Sequence, residues 1–462
     1  MADPGVLRGN RDFRRFWVGS ALSTLGSQMS LIAFPLLVLS LGGGAAQAGL
    51  VASCSLVTRM LFRLPAGQLA DRMDRRRLML GADLVRLVAV GSIPLTAGLG
   101  HLAYPQLLVV AVVEGLATSI FTPASTIAVR DVVSEDQLSD ALAKDQAALA
   151  AASLVGPFLG GWLFTVDRIL PFSADALSYA VSAALLLRMA TRPVEPGTGK
   201  PADNSLTAGM RWLARQPMLL RALAFGALLN LVGSAAEVAM VVTLRGGGSG
   251  GTSIGLVMAC AGVGAVIGSL AAPKVLKLLR PGQLFLAIGT VWSCGLAVFA
   301  ATRQPFVLGP VLVVLILLTP PAGIVVGQAL LSRSPRELLG RVTTAANLLI
   351  AGLAALGPIL TGAALEGIGV SRTWLLLAVL IAASTLLAAL PMLRDTGLID
   401  APSAPSPSGA SGASAAPAPR TTGDAGPEAA AGPAATARPD AHPDARPDVA
   451  AAPQSNATPA TA

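Results

Sequence analysis

The sequence predicts an all-α membrane protein: twelve transmembrane helices in two six-helix halves, followed by a disordered C-terminal tail. Composition is the first observation behind this. The chain is 53% hydrophobic and 13% charged, with mean hydropathy +0.67, whereas a soluble domain carries about 25% charge. Second, twelve apolar stretches are each of about the length, near 20 residues, that a helix needs to cross a bilayer. Third, lysine and arginine collect on alternate connections between those stretches.

The elements follow in order. The first span, near 16–41, is led in by a basic N-terminus; it is too long for a signal-peptide core and has no clear cleavage site, so it is expected to act as its own signal anchor. Spans near 46–66 and 78–99 flank a knot of charge at 67–77. Spans near 105–125, 143–165 and 173–190 complete a first half over 1–190. A basic linker, 191–217, contains Pro193, Pro196, Gly197, Gly199 and Pro201. Spans near 219–243, 253–273, 284–302, 305–331, 343–366 and 373–393 make a second half over 218–394. Residues 395–462 are dominated by Ala, Pro, Ser, Thr and Gly without an aromatic residue. Such a segment cannot bury enough apolar surface to fold.

Charge sets the orientation. One set of alternate connections carries 22 lysines and arginines, from Arg8 to Arg341, against Arg168, Arg245, Arg303 and Arg372 on the other set. The positive-inside rule places both termini in the cytoplasm and the chain in the cell membrane. The net charge of +8 therefore reports orientation and implies no nucleic-acid partner. Cys54, Cys260 and Cys294 fall in separate spans and are expected to be packing residues; His101 and His442 leave no histidine for a metal in the membrane.

An internal repeat supports two halves. A shift of 201 residues lays Gly67 over Gly268, Gly156-Pro157 over Gly357-Pro358, and Leu138 over Leu339. The same shift puts Asp71 over Ala272, Arg72 over Pro273 and Arg76 over Lys277, so the second copy of the charged knot is degenerate.

The knot itself, Gly67-x-x-x-Asp71-Arg72-x-x-Arg75-Arg76, resembles the loop between helices 2 and 3 of major facilitator superfamily transporters. That resemblance implies a gate in which Asp71 meets the positive end of helix 11, starting near Arg341, when the transporter opens outward. The loop departs from the family in carrying Asp74 where a small residue is usual. On the fifth span, Gly156-Pro157-x-x-Gly160-Gly161 resembles the motif of proton-antiporting exporters. The further glycines of that motif are here Ala152 and Ala143. Asn10 to Trp17, Leu22-Ser-x-Leu-Gly26, Phe121-Thr-Pro-Ala124, Asp136-Gln-Leu138, Arg211-Trp212 and Gly340-Arg341-Val342 are similar to enterobactin-exporter-like and macrolide-efflux-like members. Those members often carry an acid soon after the first-span glycine, where this chain has Ser27-Gln28.

Ionisable residues inside spans are functional candidates by default. Glu114, central in the fourth span and without an evident local partner, and Glu237, in the seventh, are candidates for proton coupling. Arg59 and Arg63, one turn apart, with Asp83 and Arg86 are expected to form one charge cluster near the inner interface. The family's usual helix 4 arginine is replaced by Ala111.

The resemblance implies a carrier that exports an amphiphilic small molecule, such as an antibiotic or siderophore, by alternating access and proton antiport, as a monomer and without a cofactor. Import, facilitated diffusion and substrate sensing on a transporter scaffold remain open. No nucleophile lies with a base, and no Gly-x-x-x-x-Gly-Lys-Ser/Thr loop occurs. Enzymatic chemistry and ATP-driven pumping are therefore not expected.

Overall fold

A computed structural model describes residues 10–189, 206–335 and 338–394. The expected disordered tail and most of the linker lie outside them. The first half is α1 (Arg11–Ser40), α2 (Ala45–Arg72), α3 (Arg75–Gly98), α4 (Tyr104–Val132), α5 (Leu138–Val166) and α6 (Leu170–Leu187). A short α7 (Leu206–Ala214) precedes α8 (Pro217–Gly246), α9 (Gly251–Leu278), α10 (Pro281–Ala301), α11 (Pro305–Leu317), α12 (Thr319–Arg333), α13 (Leu339–Ile368) and α14 (Val370–Arg394). Twelve stretches among the described residues are long and apolar enough to span a membrane. Val88, Leu270, Leu278, Phe306 and Leu387 are each 73–79% exposed. Apolar surface this extensive suits contact with lipid chains.

The tenth span breaks into α11 and α12 at Leu318, which its length did not announce. Pro320 has no N–H for the Ile316 carbonyl, and the Thr319 hydroxyl donates to that carbonyl instead, at 2.6 Å.

Helix ends refine the repeat. Leu138 and Leu339 do open equivalent helices, α5 and α13. In the first three helices of each half, however, the register is 206 residues rather than 201. The starts of α1 and α8, both ends of α2 and α9, and the left-handed glycines Gly42 (φ 83°) and Gly248 (φ 80°) that turn the chain after α1 and α8 all share it. Asp71 therefore corresponds to Lys277, not Ala272. The shorter ninth span and its following loop absorb the difference.

Most helix packing is internal to each half. In the first, α1 packs on α5 and α6, α2 on α4, and α3 on α4 and α6; in the second, α8 packs on α13 and α14, α9 on α11, and α10 on α14. T-shaped ring pairs pin α1 to α6 through Phe34 and Phe172 and α10 to α14 through Phe299 and Trp374, and a third, Phe225 with Phe285, joins α8 to α10. The Trp374 indole donates to Thr243 Oγ1 at 2.9 Å. The halves meet along two helix pairs, α2 with α13 and α5 with α9.

A sealed face, an open face and a central cavity

The two inter-half crossings are repeat copies of one contact. A Cβ on Gly161 of α5 would strike the Gly251 carbonyl, and one on Gly255 of α9 the Pro157 carbonyl. In the other crossing, a Cβ on Gly362 of α13 would strike the Ala45 carbonyl, and one on Gly49 of α2 the Pro358 carbonyl. Only glycine admits backbones this close. Side chains then cap the helix starts. Thr165 Oγ1 accepts from the Thr252 N–H at 2.9 Å, and Glu366 Oε1 from the Ala46 N–H at 2.9 Å. Ser53 Oγ also accepts from the Ile359 N–H at 2.9 Å. This face, away from Arg11–Arg15 and the other basic connections among the described residues, is closed.

The helix 5 motif thus makes a three-way crossing. Gly156 and Gly160 face Gln28 and Met29 of α1, while Gly161 faces α9. Of the two alanines in its extension, Ala152 is buried and Ala143 is exposed.

The basic face is open. Leu61, Phe62, Arg63 and Asp71 of α2 are exposed, and a Cβ on Gly67 would meet nothing within 4 Å. Asp71 forms no ion pair among the described residues. Arg72 is likewise exposed, whereas Asp74, Arg75 and Arg76 are fixed within the first half. Asp74 caps α3, accepting from the Arg76 and Arg77 N–H groups, which accounts for an acid at that position. Arg75 reaches Asp131 at 3.3 Å. Arg76 donates to the Leu186 and Leu187 carbonyls at 2.7 and 2.6 Å, satisfying the C-terminal end of α6.

Between the faces lies a cleft with two cavities. The larger, of about 610 Å³, lies mainly among α8, α10, α12 and α13, with Asn230, Glu237, Trp292 and Asn347 in a largely apolar wall. The buried Trp292 Nε1 has no hydrogen-bond partner among the described residues. The smaller, of about 60 Å³, touches α1, α2, α4, α8 and α13, with Ser27, Ser55, Arg59, Glu114 and Glu237 in its wall. Leu56 and Glu237 line both.

Two expectations about charge need correction. Glu114 does have a partner: Arg59 Nη2 lies 3.5 Å from its Oε1, and Ser55 Oγ lies 3.4 Å from Oε2 and 3.1 Å from Arg59. Nor do Arg59, Arg63, Asp83 and Arg86 form one cluster. Arg59 turns to α4 and the cavity, and Arg63 is exposed. Asp83 and Arg86 pair with each other at 3.5 Å inside the first half. Arg86 lies over the rings of Phe121 and Tyr179 at 4.9 and 5.4 Å, and Ser182 donates to Asp83 at 2.6 Å. Arg59 and Glu114 sit on different helices, 55 residues apart, so spacing along one helix did not reveal their pairing.

Sequence reading also passed over Asp175. This fully buried carboxyl of α6 accepts a hydrogen bond from Ser30 of α1. A single acid in an otherwise apolar span was its available signal.

Comparison with known proteins agrees with this architecture. The chain is 29% identical over 401 residues to the "Multidrug efflux pump Tap" of Mycobacterium tuberculosis, covering 82% of this chain and 93% of that protein. It is 24% identical over 396 residues to the "Enterobactin exporter EntS" of Citrobacter koseri, covering 81% and 93%. Among solved structures, the nucleoside transporter NupG superposes with a TM-score of 0.67 at 14% identity, covering 82% of this chain and 99% of that one. A bacterial homologue of the iron transporter ferroportin, in an inward-facing state, gives 0.67 at 15%, covering 84% and 99%. The family model for the Major Facilitator Superfamily matches residues 16–358, and the chain belongs to that superfamily of transporters.

Proposed function

We propose that the protein exports an amphiphilic small molecule, an antibiotic, other drug or siderophore, from the cytoplasm across the cell membrane by proton antiport. The basic face is then the cytoplasmic one, both termini lie there, and the conformer described is open inward. The reading rests above all on Glu237, which lines both the large apolar chamber and the pocket holding Arg59 and Glu114. A substrate with an apolar body and polar edge suits the chamber. Asn230, Asn347 and the unpartnered Trp292 N–H offer polar contacts, while the wall supplies apolar burial. A substrate there approaches the carboxyls of Glu237 and Glu114, so substrate and proton compete for one region.

Export rather than import is favoured by the helix 5 motif and by the likeness to a multidrug efflux pump and an enterobactin exporter. Asp71 serves as a latch on the cytoplasmic side, holding the start of α13 when the cavity faces outward. The carrier works without a cofactor and as a monomer, with the proton gradient as its energy source. The test is ethidium accumulation by inverted vesicles under an imposed pH gradient, with and without the protein. Gradient-dependent accumulation supports antiport. Flux independent of the gradient indicates facilitated diffusion, and binding without flux indicates a sensor.

A further inference from the structure

The buried charges of the first half do not balance. Three carboxyls, Asp83, Glu114 and Asp175, face its interior. Two arginines pair with two of them: Arg86 with Asp83 and Arg59 with Glu114. Asp175 has no ion pair among the described residues. One of its oxygens takes the Ser30 hydroxyl, and the other, Oδ1, has no hydrogen-bond partner among the described residues. Removing an unpaired carboxylate from water is heavily disfavoured, so such a group is held as the neutral acid unless its surroundings change.

Those surroundings communicate with the cavity. Tyr179 lies four residues beyond Asp175 on the same face of α6. Its hydroxyl shares a 2.9 Å hydrogen bond with Ser27 of α1. Ser27 is half-buried and lines the smaller cavity beside Glu114. Gly26 seats α1 directly on Asp175, since a Cβ there would strike Oδ1. The groups bearing on the site are Ser27 and Ser30 from α1, Asp83 and Arg86 from α3, Glu114 from α4, and Tyr179 from α6 itself.

We propose that Asp175 is a proton-binding site behind the cavity wall, filled and emptied through the Ser27 and Tyr179 hydroxyls during transport. Its part in the cycle rests on the proton-antiport reading. A proton from cavity water becomes the carboxyl proton, and the same proton leaves when the site opens to the opposite side. Arg86, held over the Tyr179 ring, is the cation close enough to stabilise the ionised form transiently. Glu114, already paired with Arg59, responds to substrate in the cavity, while Asp175 stores the proton out of reach of substrate.

The experiment is pH-difference infrared spectroscopy of the full-length protein in phosphatidylethanolamine–phosphatidylglycerol vesicles, without any substrate. The wild type is expected to show a protonated-carboxyl carbonyl band that disappears on raising pH. Asp175→Asn should lose that band, while Glu114→Gln should retain it. Ser30→Ala keeps the carboxyl and removes its donor, so the band should remain and change frequency even if Asp175→Asn fails to fold. A titrating band unaffected by both Asp175→Asn and Ser30→Ala overturns the proposal, as does an Asp175 band that never titrates, which marks a permanently protonated structural acid. Ethidium accumulation in inverted vesicles separates the two readings. A titrating Asp175 band without gradient-driven flux in the wild type removes antiport and leaves the proton site. Gradient-driven flux with an unchanged Asp175→Asn spectrum does the reverse.

Discussion

Glu366 of α13 accepts a hydrogen bond from the Ala46 N–H, at 2.9 Å, at the first turn of α2. The repeat-related contact in the other inter-half crossing is Thr165 with the Thr252 N–H. One position thus carries a charge in one copy and a hydroxyl in the other. An anion at a helix N-terminus is stabilised by about 0.3–1 kcal/mol at an exposed site. That contribution exists only while this face is closed. Glu366→Gln should therefore shift population from the state described here toward the opposite one by about two- to fivefold. Spin-label distances between the start of α2 and the end of α13 report it, and an unchanged distribution would remove Glu366 from the seal.

Asp71 should act in the opposite sense. It makes no ion pair among the described residues in this conformer, whose basic face is open, so Asp71→Ala leaves the contacts described intact. If Asp71 latches the basic face in the other state, the variant should reach the membrane normally, favour the conformer open at the basic face and turn over more slowly. Transport per molecule, normalised to membrane abundance, checks this. Full-speed transport by Asp71→Ala would return the aspartate to the role of a solvated loop charge.

What the sequence disclosed follows from the range of the interactions. Span count depends on local apolarity, so twelve stretches were legible, and the 201-residue shift paired Leu138 with Leu339, which open equivalent helices. Asp74 shows a local rule missed: an acid just before an arginine-rich helix start is a cap. Arg59 with Glu114, 55 residues apart, and Ser30 with Asp175, 145 apart, required knowing which helices touch. The repeat exposed its own limit at Asp71, because insertions inside the repeat leave no single offset.

The Arg59–Glu114 pair supplies a further prediction. Glu114 is buried, whereas the Arg59 side chain is 37% exposed, so the two partners differ in what their loss leaves behind. Glu114→Gln frees an arginine that cavity water can solvate, and it should fold with nearly unchanged stability. Arg59→Met strands a buried carboxylate and should destabilise by about 1–3 kcal/mol. In function the order reverses if Glu114 couples to protons. Glu114→Gln should retain ethidium binding to purified protein yet lose gradient-driven accumulation in inverted vesicles. Normal accumulation would make Glu114 a structural partner of Arg59 and turn attention to Glu237→Gln.

The strongest stability effect is expected at Arg86. Its side chain is 4% exposed and that of its partner Asp83 is fully buried, so water cannot compensate either group. Removing one partner of a buried pair typically destabilises by about 3–5 kcal/mol, chiefly through the charge left alone. Arg86→Met keeps the bulk and the contact with Phe121 and Tyr179 while stranding Asp83. Asp83→Asn has a milder expectation, because Ser182 still has an oxygen to donate to and Arg86 retains two aromatic faces, about 0.5–2 kcal/mol of cation–π attraction. The double variant Asp83→Asn/Arg86→Met leaves neither member of this pair charged and should recover most of the Arg86→Met loss. Unfolding of all three in detergent, followed by intrinsic fluorescence, completes the cycle. Additive losses would mean that the two groups do not share their electrostatic burden, and that Asp83 is neutralised by a proton rather than by Arg86.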